Sequence, residues 1–175
     1  MNDTLIDTIP DFNDPLGVLR ACHERMLNYC DILEKLVPHI ADQGFDEEAR
    51  AAISRLTRYF STSAVHHHHD EEEDLFPVIN RQSLKLADVV HRARKEHVQL
   101  TELWKQLAID LKKGDALTQD AEFPGHVEAF CNLYRQHIAF ENSELLDLAR
   151  HILSSRQLEN MGKAMARRRG VHHGL

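Results

Sequence analysis

A histidine followed four residues later by a glutamate occurs twice in this chain, as His67 with Glu71 and as His137 with Glu141. Residues four apart share a helix face, so each pair aims an imidazole and a carboxylate in one direction. Mixed nitrogen and carboxylate donors suit iron or manganese better than a thiolate site suits zinc. One such pair carries little weight. The run His66-His67-His68-His69-Asp70-Glu71-Glu72-Glu73 generates several by itself and reads equally well as a solvated, charge-rich helix surface. Phase decides between these readings. In each of four helical segments a histidine stands on the apolar stripe where a leucine would otherwise go: His23, His67, His97 and His137. Two of them share their face with a glutamate, and buried carboxylates are costly unless paired or bound to metal. A pair of multivalent cations would satisfy Glu71 and Glu141, with neutral imidazoles as further donors.

The elements that must hold these residues follow from periodicity and punctuation. Asp14-Pro15 reads as an N-cap followed by proline at the first helical position. Leu16, Leu19, His23, Met26, Leu27, Cys30, Leu33 and Val37 then mark one face, until Pro38 and Gly44 disturb or end it. A second helix begins at Asp46-Glu47-Glu48, acidic residues that suit the positive end of a helix dipole. Its stripe runs through Ile53, Leu56, Phe60, Ala64, His67, Glu71 and Leu75 to Pro77. Ser83 caps the third, lined by Val90, His97, Leu100, Trp104, Leu107 and Leu111, with Gly114 beyond its end. Pro124 starts the fourth, lined by Phe130, Leu133, Tyr134, His137, Glu141 and Leu148. No stretch sustains the period-two alternation of a strand. The expectation is an all-α chain: an antiparallel up-down four-helix bundle over about 14–152, with a short fifth helix over about 155–169. A single domain over 1–175 is expected, without repeats or a linker.

Composition narrows the function. Lys and Arg total 21 against 28 Asp and Glu, a formal charge of −7, which argues against nucleic acid as a partner. Arg167, Arg168 and Arg169 read as a solvated helix end. No apolar run approaches the length of a membrane span, and the acidic N-terminus lacks signal-peptide regions, so a cytoplasmic location without membrane contact is expected. Cys22, Cys30 and Cys131 form no CxxC and read as reduced core residues. Histidine, at 13, is the unusual count.

The chain resembles the hemerythrin-like, or HHE cation-binding, proteins from about Asp14 to about Arg150. The resemblance rests on Leu19 and His23, on His67-His68-His69-Asp70-Glu71-Glu72-Glu73-Asp74-Leu75-Phe76-Pro77, on Lys95-Glu96-His97, and on His137-Ile138-Ala139-Phe140-Glu141-Asn142. Among the consecutive histidines, the family's spacing to Leu-Phe-Pro selects His67 with Glu71. It implies a non-haem di-iron centre, with manganese or zinc less expected. His23, His67, His97 and His137 would be terminal ligands, and Glu71 and Glu141 would bridge together with an oxo or hydroxo group. The oxygen carriers of the family have a fifth histidine four residues from the third-helix ligand. Here those positions hold Ala93 and Thr101.

The ligand set is therefore similar to that of di-iron proteins linked to iron–sulfur cluster repair and nitric oxide. The function implied is binding or sensing of dioxygen or a diatomic such as nitric oxide. The alternatives are a peroxidase-like or nitric oxide reducing enzyme, and iron storage or delivery for cluster repair. Against repair, the first dozen residues cannot form the cysteine-bearing domain that usually accompanies that role. His68, His69, Glu72 and Glu73 are expected to be solvated or to lie outside the ligands, with Glu72 or Glu96 able to orient a bound imidazole. His126 is expected to cap or face solvent, Tyr134 and Trp104 to be core, and His91, His151, His172 and His173 to be superficial. Tyr134, one turn from His137, is in reach of a ligand bound at the centre.

Overall fold

The structure, a computed structural model, describes residues 11–171. His172 and His173 lie outside the described residues. The first rod, α1 (Pro15–Gln43), starts where the Asp14 side chain accepts from the Gly17 amide and Pro15 takes the first turn. It ends at Gly44, whose φ of 78° is a conformation glycine adopts without a side-chain clash. Pro38 does not end it, because the helix carries the proline internally and continues to Gln43.

The second rod is built from α2 (Glu47–Ser61), α3 (Ser63–His69), a π-helical turn over Asp70–Leu75 and α4 (Phe76–Ile79). Two details depart from expectation. Thr62, with φ −129° and ψ −74°, breaks the rod between α2 and α3. Pro77 does not close the helix, since it occupies the first turn of α4, where a missing N–H costs nothing.

The third rod, α5 (Leu84–Leu111), is capped by Ser83, whose hydroxyl accepts from the Leu86 amide. A 3₁₀ turn over Gly114–Gln119 leads into the fourth rod. That rod joins α6 (Phe123–Phe140), a second π-helical turn over Glu141–Leu146 and α7 (Asp147–Ile152). A fifth helix, α8 (Ser155–Arg168), opens with a capping box between Ser154 and Gln157. Among the described residues there is no strand, and no helix is long and apolar enough to cross a membrane.

The first and third rods each pack against the second and the fourth, closing the ring of a helical bundle. Its interior is two apolar cores rather than one. Met26, Leu33, Phe60, Leu100 and Phe130 belong to the larger. Leu19, Leu75, Phe76, Val90 and Leu145 belong to the other, which α8 covers with Met161 and Met165. Along the first three rods the boundary between the cores falls at a histidine: His23 lies between Leu19 and Met26, His67 between Ala64 and Leu75, and His97 between Ala93 and Leu100, while on the fourth Glu141 lies between Ile138 and Leu145. A polar layer thus crosses the bundle at one depth.

Candidate metal centre

Six side chains from four rods make up that layer. His23, His67, Glu71, His97, His137 and Glu141 are all at most 3% exposed. Each glutamate spans the histidines of different rods. Glu71 Oε1 lies 3.2 Å from His67 Nε2 and 3.6 Å from His23 Nε2, while its Oε2 lies 3.3 Å from His97 Nε2. Glu141 Oε2 lies 3.2 Å from both His137 Nε2 and His23 Nε2, and its Oε1 lies 3.4 Å from His97 Nε2. Ligand-capable atoms of His23, His67, Glu71 and Glu141 all fall within 4.8 Å of one another, as do those of His68, His97 and His137.

Close approach does not amount to hydrogen bonding here. The Nε2 atoms of His23, His97 and His137 and all four oxygens of Glu71 and Glu141 are buried without a hydrogen-bond partner. An unsatisfied buried polar group costs about 1–3 kcal/mol. Seven converging on one point would be ruinous unless something shared satisfied them. A cation does so, because lone pairs from imidazole and carboxylate all point at it, and this donor set fits a metal. Charge leads to the same conclusion. Burial alone would lower the His23 imidazole, yet Glu141 and Glu71 override it and raise its pKa to about 9. For His67 burial is likewise outweighed, chiefly by the charge of Glu71, and the value rises to about 10. Burial would raise Glu71, but His67, His23 and His97 hold it well below the carboxylate range. The pocket is strongly anionic and gathers positive charge.

Both glutamates sit at the mouth of a π-helical turn. The Phe76 amide bonds the Glu71 carbonyl, and the Asp147 amide bonds the Asn142 carbonyl, each five residues back. Such turns recur at functional sites. More residues per turn means less rotation per residue, which leaves Glu72 and Asn142, the next residues along, able to reach the neighbouring rods. Glu72 Oε1 accepts from His97 Nδ1 at 2.7 Å, and Asn142 Oδ1 accepts from His23 Nδ1 at 2.8 Å. His137 Nδ1 donates to Glu96 Oε2 at 2.8 Å. Three imidazoles are therefore fixed with Nε2 turned to the centre. His67 Nδ1 has no such bond. It faces the Cys22 thiol, whose pKa burial would raise but the His67 contact brings below its usual value.

Of the two places expected for His68, solvent or the surroundings of the layer, the structure shows the second. Its ring is turned inward, stacked on His97 at 4.0 Å between centroids, with the Tyr134 hydroxyl 3.5 Å from its Nε2. Burial, with the charges of His97 and His67, holds it well below the ordinary imidazole value, so it is a neutral ring. On a plain helix the residue after His67 swings off the inner face. His69 and Glu73 are exposed, whereas Glu72 reaches the centre only through His97.

His126 is far from the layer and bonds Asp110 at 2.7 Å, tying the start of α6 to the end of α5. His91 and His151 are exposed, Trp104 is half-buried against the larger core, and Cys131 is buried with its thiol donating to the Cys30 carbonyl. Ala93 is buried and Thr101 is exposed, its hydroxyl spent on the His97 carbonyl.

Arg168 and Arg169 also overturn their reading as a solvated helix end. Both bind Asp70, which is fully buried, and Arg168 adds Asp74 at 3.0 Å and Glu73 at 2.9 Å. Asp70 directly precedes Glu71, so the end of α8 is anchored to the π-turn that carries one of the two glutamates.

Comparison with known proteins agrees with this geometry. The family model for the hemerythrin HHE cation-binding domain matches residues 14–149, a stretch that contains all six side chains. An uncharacterized protein of Haemophilus influenzae is 30% identical over 161 residues, covering 91% of this chain and 92% of its own length.

Proposed function

Because this chain belongs to the hemerythrin HHE cation-binding family, we propose that its buried layer holds two iron ions and that its function is to bind or sense dioxygen or nitric oxide. His23 and His67 would hold one ion, and His97 and His137 the other. Glu71 and Glu141 would bridge them together with an oxo or hydroxo group. The observation that carries this reading is the convergence of seven unpartnered polar atoms at the junction of the two cores. Iron would supply the redox electrons and the coordination positions left open for a diatomic molecule. The chain contributes the rest. Asn142, Glu72 and Glu96 fix the imidazoles, and the two apolar cores keep bulk water from either side.

A second reading, reduction of peroxide or nitric oxide, draws on His68 and Tyr134. Both carry exchangeable protons beside the His97 and His137 imidazoles, and reduction consumes protons. Elemental analysis of protein purified without added metal tests the proposal, combined with an optical spectrum through a cycle of deoxygenation and re-aeration. Two irons per chain and a spectral change that reverses are expected. Zinc alone, or fewer than two metals per chain, would overturn the di-iron assignment. Turnover of peroxide or nitric oxide with the metal retained would favour the enzyme over the carrier.

A further inference from the structure

The outer partners of the four histidines differ in charge from one end of the layer to the other. His97 donates Nδ1–H to the carboxylate of Glu72, and His137 to that of Glu96. At the opposite end His23 donates to the neutral amide oxygen of Asn142, and His67 faces a thiol. The four partners occupy matching places. Glu72 and Asn142 each follow a bridging glutamate, while Glu96 and Cys22 each precede a histidine of the third or first rod. We infer that the two ion seats are unequal and that the seat of His97 and His137 is built for the trivalent ion, leaving the seat of His23 and His67 for the divalent one. This rests on the two-ion reading above.

The physical basis is the response of an imidazole to its outer hydrogen bond. A carboxylate accepting Nδ1–H draws the proton away and makes Nε2 a stronger donor, and it adds a negative charge close to the ion. Both effects favour the more highly charged cation. An amide oxygen polarises the ring less and brings no charge. Glu96 shares its second oxygen with Arg92 at 2.8 Å, but Arg92 is 55% exposed and its charge is screened by solvent. Arginines stand at both ends, Arg94 acting on Glu72 and Arg25 and Arg169 on Cys22, with Arg169 paired to Asp70, so they do not separate the seats. His68 adds a third nitrogen to the side of His97 and His137. The two carboxylates, Glu72 and Glu96, carry the difference between the seats.

The test needs no turnover. Metal-free protein is loaded with one equivalent each of ferric iron and zinc, a pair that undergoes no redox exchange, and crystals are measured at both absorption edges. Iron should favour the seat of His97 and His137 over the other by ~10-fold or more, the scale on which outer-shell partners alter metal affinity. The Glu72→Gln and Glu96→Gln variants should each lower that ratio, and Asn142→Asp should lower it from the opposite side by adding charge to the zinc seat. Because the three changes lie on three rods, one that fails to fold leaves the others informative. Even partition in the native protein, or iron at His23 and His67, overturns the inference. Uptake of fewer than two ions overturns instead the two-ion reading on which it rests.

Discussion

The two His-x-x-x-Glu turns of this bundle are built on one backbone device and differ in their surroundings. Both carry their glutamate into a π-helical turn, and both send the next residue across to an imidazole on another rod. Around that shared frame the residues diverge. The position before the glutamate is Asp70 in one copy, buried and bound by two arginines, and Phe140 in the other, a half-buried ring under Arg92 at 3.8 Å. The position after the histidine is His68 in one and Ile138 in the other. The backbone geometry serves to deliver one nitrogen and two oxygens, and so it repeats. The neighbours set charge and stability, and they are free to differ.

The largest effect should come from breaking what the copies share. Glu71→Ala and Glu141→Ala each remove a carboxylate that spans both pairs of histidines, so each should cost both ions and not only one. Elemental analysis of the two purified variants checks this. If one variant keeps its full metal content, the copies are not equivalent bridges and the frame described above is wrong.

The next effect concerns what they do not share. Asp70→Ala takes the carboxylate from Arg169, while Arg168 keeps Asp74 and Glu73, and breaking a buried pair in this way costs about 3–5 kcal/mol. Phe140→Ala, at the matching place, removes only a half-buried ring and its cation–π contact, and should cost less. Urea denaturation of the metal-free proteins gives both values. A smaller loss for Asp70→Ala than for Phe140→Ala would show that α8 is not held through the first π-turn.

How far sequence reached follows the same division. The rods and their caps at Asp14 and Ser83 were legible, because each rests on local periodicity and local hydrogen bonds, whereas the choice of His67 among consecutive histidines rested on the family resemblance. The break at Thr62 and the passage of the second rod through Pro77 were not, since tertiary packing overrides weak local preference there. Sequence leaves His68 between solvent and the surroundings of the layer, because helical phase gives an angle around one rod but not the direction of its neighbour. The arginines of α8 were misread for a similar reason: nothing local in Arg167-Arg168-Arg169 points to Asp70, nearly a hundred residues earlier.

A third difference depends on pH. In the metal-free protein the pKa of His23 is raised to about 9 and that of His67 to about 10, against an ordinary 6.5. A group whose folded pKa is raised stabilises the fold fully below its unfolded value, and that contribution disappears as pH climbs through the folded value. Melting temperature without metal should therefore fall by a few degrees between about pH 7 and pH 10. Metal-loaded protein should not show this loss, because the ion takes the place of those protons. An identical pH profile with and without metal would mean that protons and ions do not compete for the same nitrogens.

The smallest effect isolates His68, the one nitrogen in the layer with no counterpart in the other copy. His68→Phe keeps a flat ring to stack on His97 but loses the nitrogen that meets Tyr134, so fold and metal content should hold. What changes is the stabilisation of a polar ligand beside the His97 and His137 imidazoles. A single hydrogen bond there is worth about 1 kcal/mol net, or roughly fivefold in affinity. Anaerobic titration of ferrous protein with nitric oxide should show that weakening in His68→Phe, and Tyr134→Phe should weaken binding less, because it acts only by holding His68. Equal affinities in all three proteins would assign His68 to packing and place the open coordination position beside His23 and His67, where neither nitrogen nor hydroxyl of this pair can reach it.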